Sequence, residues 1–373
     1  DQITCLHDLN NDGEADHYEN FNNDISISNH YHEYCLNLST DPEGNFYFIK
    51  GGNLGPATVP HHGCLVKVSK NGGKMEIIAT GHRAPNGMSV GPEGEITTAD
   101  NEGNWVPTSR LNLVKRGGFY GHVHTAHRKE TPKDYDKPLM WIPHQLDNSS
   151  GGQVWVTSDR WGPFGGDLLH LSYGKCSLFK IMKEEVNGQW QGAAVRFPLQ
   201  FESGIMRGRF NPTDGQLYLA GLRVWQSNGA RYGAFHRVRF TGKPVYMATK
   251  LNVKKNAIAI TFTDPLDPVS AVDDQNYAVD QWNYQWTKAY GSKMYSVKTP
   301  GKVIGDKKQA AFRGDSMEIQ SIQLSENKKT ISLKIAGLMP VMQSRITFNI
   351  KFADGKELMK QEIIHTINRL PAK

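Results

Sequence analysis

The chain has 373 residues, enough for two domains that each bury a core. Its 43 Lys and Arg against 37 Asp and Glu give a net charge of +6, but the basic residues are scattered and form no stripe interleaved with aromatics, which argues against nucleic acid as a partner. No apolar run reaches the length of a membrane-spanning helix, and 37 Gly, 18 Pro and 10% aromatic residues suit many short strands joined by tight turns.

In chain order, the first feature is the loop Asp8-Leu-Asn10-Asn-Asp12-Gly13-Glu14-Ala-Asp16-His-Tyr-Glu19. Oxygen donors fall at positions one, three, five, nine and twelve. Gly13 sits at six, where the chain must turn sharply, and Glu14 at seven can offer its carbonyl. A hard cation needs six to eight converging oxygens, so Asp8, Asn10, Asp12, Glu14, Asp16 and Glu19 are the expected ligands of a calcium ion. No helical period flanks the loop, which points to a structural staple between strands.

A phrase then recurs: Leu38-Ser-Thr-Asp-Pro42-Glu-Gly-Asn-Phe-Tyr-Phe48, Met88-Ser-Val-Gly-Pro92-Glu-Gly-Glu-Ile96, Trp161-Gly-Pro163-Phe-Gly-Gly-Asp-Leu-Leu169 and Arg209-Phe-Asn-Pro212-Thr-Asp-Gly-Gln-Leu-Tyr-Leu219. Each reads as a strand, a Pro/Gly turn and a second strand. The prolines step by 50, 71 and 49 residues, the spacing of four-stranded propeller blades. A polar loop, roughly residues 123–137, lengthens the middle step. About four blades fit between residues 25 and 245, with strands in residues 1–20 finishing an earlier one, so an open start is expected: either the chain is part of a longer protein, or the early strands complete the last blade as a clasp.

The repeats stop near Thr241-Gly242. Segments Ala257-Ile-Ala-Ile-Thr-Phe262, Lys329-Thr-Ile-Ser-Leu-Lys-Ile335 and Arg345-Ile-Thr-Phe-Asn-Ile-Lys-Phe352 alternate with period two. The expected division is a propeller over 1–245 and a β-sandwich over 246–373. The second part resembles bacterial Ig-like domains, in which a strand ending like Phe262-Thr-Asp-Pro-Leu-Asp267 precedes a Greek-key set. Thirteen of the fourteen histidines precede residue 245, so chemistry is expected in the propeller. The cysteines, Cys5, Cys35, Cys64 and Cys176, form no C-x-x-C; one or two disulfides and four buried thiols both fit the spacing.

The order His61-His62-Gly, Gly81-His-Arg83-Ala-Pro-Asn86-Gly, Pro92-Glu-Gly, Leu111-Asn112 and Phe119-Tyr120-Gly121 resembles the soluble quinoprotein glucose and sorbosone dehydrogenases. The resemblance implies a six-bladed propeller that oxidises a sugar hydroxyl with pyrroloquinoline quinone (PQQ). On the matching positions it implies His62, Arg83, Asn86, Arg207 and Arg209 as cofactor-binding residues. His32 becomes the base that takes the hydroxyl proton, with His30 as the fallback and Arg83 beside it in the catalytic set. Ala84 stands where the family has Asn, and Asn86 where it has Gln. His32, His62, Arg83, Asn86, Asp100 and Arg207 are expected to meet around the propeller axis. The same resemblance implies a periplasmic or extracellular protein, a carbohydrate substrate or ligand, and an electron-acceptor protein as a further partner. Two other classes suit the same residues: a calcium-assisted lyase or hydrolase acting on a uronate, and a non-catalytic propeller that binds carbohydrate or protein.

Overall fold

The computed structural model describes residues 2–28, 30, 32–52, 57, 59–306 and 313–372. It is an all-β protein, with propeller-type blades followed by a β-sandwich. The chain opens with a two-stranded hairpin, β1 (Ile3–His7) and β2 (His17–Asn22), whose connection is the Asp-rich loop.

Four antiparallel meanders follow. The first holds β3 (Cys35–Thr40), β4 (Phe46–Lys50), β5 (Leu65–Val68) and β6 (Met75–Ala79). The second holds β7 (Gly87–Val90), β8 (Ile96–Asp100), β9 (Ser109–Leu113) and β10 (Met140–Ile142). The third is β11 (Ser150–Trp155), β12 (Leu168–Ser172), β13 (Ser177–Val186) and β14 (Gln189–Arg196). The fourth has three strands, β15 (Gly204–Phe210), β16 (Leu217–Leu222) and β17 (Gly233–Val238). The first strands β3, β7, β11 and β15 pack side by side in that order. This is the arrangement of innermost strands around a propeller axis.

The recurring phrase does the same job each time: it turns the chain from the inner strand to the second. Gly44, Gly94, Gly166 and Gly215 all take positive φ there, between 69° and 89°, a backbone region where a Cβ is strained. In the first copy Asp41 ties the turn down. It accepts the Asn45 amide at 2.8 Å and the Tyr47 hydroxyl at 3.0 Å.

The C-terminal part continues with β18 (Ala248–Val253), β19 (Ala257–Phe262), β20 (Tyr277–Trp282), β21 (Met294–Tyr295), β22 (Val303–Gly305), β23 (Asp315–Ser316), β24 (Ile319–Leu324), β25 (Thr330–Ile335), β26 (Val341–Lys351) and β27 (Glu357–Ile367). One sheet runs β18-β19-β25-β24. The other places β27, β26, β20 and β23 on the outer edge of the third blade, giving an eight-stranded sheet. The joint is β14 against β27, with Ala193 opposite His365 and Val195 opposite Ile363. A sheet therefore crosses the expected boundary at 245/246. A single apolar cluster follows it, from Leu171 and Val195 in the blade to Phe262, Phe348 and Ile363 in the sandwich. A second crossing is made by the segment after β20. Trp286 Nε1 donates to the Gly121 carbonyl at 2.9 Å, and the Trp105 amide to that of Thr287 at 3.0 Å.

All four cysteines are free thiols: Cys64 and Cys176 are buried, Cys5 and Cys35 partly so. Among the described residues no helix is long and apolar enough to cross a membrane.

Candidate functional site

The hairpin loop gathers its side-chain oxygens around its own backbone. Asp8 accepts the amides of Asp12 and Gly13 at 3.2 and 2.9 Å, and Asn10 that of Asp12 at 2.9 Å. Asp12 accepts the Glu14 amide at 2.8 Å, and Asp16 the Leu9 amide at 2.7 Å. Four of the expected ligands thus face one loop, with Glu14 contributing backbone. Glu19 does not join them. It lies on β2 opposite Cys5 of β1, and its Oε2 is 2.8 Å from His7 Nε2. The register of the hairpin puts it on the stem, away from the loop.

The inner strands are cross-tied by polar side chains. Asn37, in β3 with φ +62°, donates from Nδ2 to the Asn86 carbonyl at 3.0 Å. Asn86, at the entry to β7, donates to the carbonyl of Ser150 on β11 at 2.8 Å. Its Oδ1 accepts from Arg207 of β15 at 3.2 Å. Residues 121 positions apart in sequence therefore meet across the axis. Arg209 follows Arg207 by two on the same strand. Burial first, and then the Arg209 charge, hold the Arg207 guanidinium below its usual pKa. Neither arginine has a carboxylate partner among the described residues. Arg209 also lines a cavity of about 400 Å³ with Thr40, Val90, Trp155 and Phe210, toward the C-terminal ends of the inner strands.

His32 sits just before β3 and is exposed. Its pKa is lowered by partial burial, then by His30, whose ring centroid is 5.6 Å away, and then by Arg83. The imidazole is therefore neutral at pH 7, the form that accepts a proton.

Three other expected site residues are committed to structure. Arg83 is only 7% exposed. Its NH1 donates to the Glu102 carbonyl at 2.9 Å, and its guanidinium lies 4.9 Å from the centre of the Tyr290 ring. A side chain at Gly103 would collide with that guanidinium. Arg83 reaches His32 by its charge, and its hydrogen bonds go to the protein interior. Asp100 is fully buried and accepts the amides of Arg83 and Ala84, each at 2.7 Å, so its carboxylate shapes the turn at 81–87. His62, expected to bind cofactor, has no exposed surface. Its Nε2 pairs with the Glu33 carboxylate, which also accepts the Ser28 hydroxyl. Lys50, equally buried, donates to the Glu33 carbonyl at 2.8 Å. Desolvation explains these outcomes: each group is held where only a partner inside the protein can satisfy it.

The other family-like residues are also part of the scaffold. Asn112 on β9 accepts from Arg110 Nε at 2.7 Å and donates to Thr98 at 3.0 Å, and Tyr120 is fully buried. The site also contains residues that no local sequence signal marks. Tyr290 comes from the sandwich part, and nothing local in its sequence points toward Arg83. Asn37 acts through a positive-φ kink inside a strand. His122 is buried with Nδ1 3.1 Å from Thr125 Oγ1, and burial lowers its pKa to about 3. His144 Nδ1 approaches the Glu102 carboxylate at 3.8 Å.

No protein-family model and no curated protein matches the sequence. Among solved structures the chain is similar to a glucose dehydrogenase, at 19% identity and a TM-score of 0.48, over 64% of this chain and 74% of that one. It is similar to the soluble aldose sugar dehydrogenase of Escherichia coli at 14% identity and 0.43, over 61% and 70%. It is also similar to the PQQ-bound aldose sugar dehydrogenase of Streptomyces coelicolor at 14% and 0.38, over 54% and 61%.

Proposed function

We propose that this chain is a propeller of the sugar-dehydrogenase type that oxidises a carbohydrate hydroxyl outside the cytoplasm, with His32 as the base. The observation that carries the reading is the placement of His32: an exposed imidazole beside His30, just before β3, the first of the inner strands. A neutral imidazole in that position can take the proton of a sugar hydroxyl as the C–H bond is broken. Arg83 acts on the base by charge alone, and Asp100 keeps Arg83 in place by fixing its turn.

The residues fit PQQ in one respect and through one pair. PQQ is a tricarboxylate, and Arg207 with Arg209 is a like-charge pair that lacks a carboxylate. An anion there would relieve the repulsion. Arg207, held by Asn86 near the heads of the inner strands, would take one of its carboxylates, while Arg209, which lines the cavity toward the other ends of those strands, would add its charge. When bound, PQQ supplies the two-electron acceptor for the sugar's hydride. Asp8, Asn10, Asp12 and Asp16, with the Glu14 carbonyl, would hold calcium as a structural ion, because hard oxygen donors in a short loop are what that cation takes.

The test is reconstitution of the purified protein with PQQ and calcium, followed by a redox-dye assay over a panel of aldoses. Dye reduction that disappears in His32→Ala, and quinone absorbance that shifts for the wild type and is lost in Arg207→Ala, are expected. A second reading, a carbohydrate-binding propeller without turnover, draws on the inward commitment of Arg83 and His62. Glycan binding with no dye reduction and no change in quinone absorbance would replace the first reading with the second.

A further inference from the structure

The stem of the first hairpin carries donors of a different kind from its loop. β1 and β2 pair with Cys5 opposite Glu19 and His7 opposite His17. Side chains two apart on a strand share a face, and so do those directly across the ladder. Cys5, His7, His17 and Glu19 therefore occupy one face of the ribbon. Ligand atoms of Cys5, His7 and Glu19 all lie within 4.8 Å of one another. His7 Nε2 and Glu19 Oε2 are 2.8 Å apart, and the rings of His7 and His17 are centred 5.7 Å apart.

We propose that Cys5, His7 and Glu19, completed by His17, form a binding site for a borderline transition-metal cation of the Zn(II) class. Donors around a tetrahedral zinc sit about 3.5 Å apart, given Zn–S near 2.3 Å and Zn–N near 2.1 Å. The three clustered ligand atoms need only side-chain rotation to reach that spacing, and His17 stands across from His7 to supply the fourth bond. The charges also balance: a thiolate and a carboxylate neutralise a dication, and two neutral imidazoles add none. Binding releases the Cys5 proton to solvent. Donor softness separates the stem from the loop, since thiolate and imidazole select zinc-like ions and carboxylate clusters select calcium. Partial exposure of the stem, with His7 37% and Glu19 55% accessible, leaves an entry path for the ion.

The probe is Co(II), then Zn(II), added to untagged full-length protein that has been stripped with chelator and desalted. One cobalt per chain should give a thiolate-to-cobalt charge-transfer band and the visible bands of a tetrahedral site. Cys5→Ser should abolish the charge-transfer band. His7→Ala should weaken zinc, measured against a chromophoric chelator, at least about a hundredfold, the upper end of what losing even an outer-shell partner costs. Glu19→Gln should weaken it in the same direction, and Asp12→Ala, in the loop, should leave it unchanged. Circular dichroism of each variant establishes that it folds. Cobalt that binds without a charge-transfer band, or zinc affinity that survives both Cys5→Ser and His7→Ala, would overturn the assignment.

Discussion

His365 lies in β27 with no exposed surface and, among the described residues, no hydrogen-bond partner for either ring nitrogen, and burial lowers its pKa to about 3. His82 and His122 are buried with pKa values lowered to about 3 for the same reason. All three are neutral in the native state, while the unfolded chain protonates them near 6.5. Their contribution is complete above that value and is lost as pH falls from 6.5 toward 3, with a slope of about 1.4 kcal/mol per pH unit for each histidine. Replacing His365 with Leu should raise stability at pH 7 by about 1–3 kcal/mol, the cost of a buried unsatisfied polar group, and should flatten the acid limb of a urea-denaturation series by one histidine's share. At the proposed site the sign is different in kind, because the readout is rate. Burial and then His30 lower the His32 pKa and Arg83 adds to them, so Arg83→Gln should move the acid limb of kcat against pH part of the way upward, toward the ordinary histidine value. Arg83→Lys should move it less. An unmoved limb in Arg83→Gln would detach the arginine from the base. His32 was singled out by resemblance, ten residues before Pro42, and the structure places it just before the inner strand β3. The inward turn of Arg83 could not be read from the sequence, since it depends on Glu102, Gly103 and Tyr290, and Tyr290 lies 207 positions further along the chain.

At the scale of elements, the hairpin loop and the blade turns were the most legible features. Gly13, with φ +92°, and the four turn glycines sit where their spacing to Asp and Pro placed them. Such local chemistry is written in adjacent residues. If calcium occupies the loop, adding it to chelated protein should raise the melting temperature by mass action, and Asp12→Ala should remove that increment. Glu19→Gln should leave the increment in place, because its side chain belongs to the stem. The opposite pattern would return Glu19 to the loop. Asn86 and Arg207 were expected at one axis and do meet; what the sequence could not disclose was the other cross-ties, Asn37 to Asn86 and Asn86 to Ser150. Each joins different repeats, and one sequence carries no record of which repeat meets which.

At the scale of the molecule, alternation of apolar residues revealed the change of texture near residue 245, but not that two strands would zip across it. Both β14 and β27 alternate in a manner compatible with many partners, and only the fold selects this pairing. Calorimetry should therefore show one cooperative transition in place of two, since the apolar cluster and the eight-stranded sheet span both parts. Two resolved transitions, with residues 246–373 melting apart from the blades, would argue for independent units. A chain cut after residue 245 should aggregate, because it would expose the edge of β14 that β27 now covers.

The same strand has a mechanical consequence. β27, the last of the described strands, is hydrogen-bonded on both sides, to β14 and to β26. Tension applied at the C-terminal end runs along the strand axis, so the two ladders are loaded together in shear and do not open one bond at a time. The load passes directly into the third blade, leaving the first strand of every other blade out of its path. An optical-trap experiment pulling between residue 372 and a handle in the third blade should meet high resistance. The same pull between the β1–β2 hairpin and the first blade should not, because that two-stranded ribbon has no third strand to brace it.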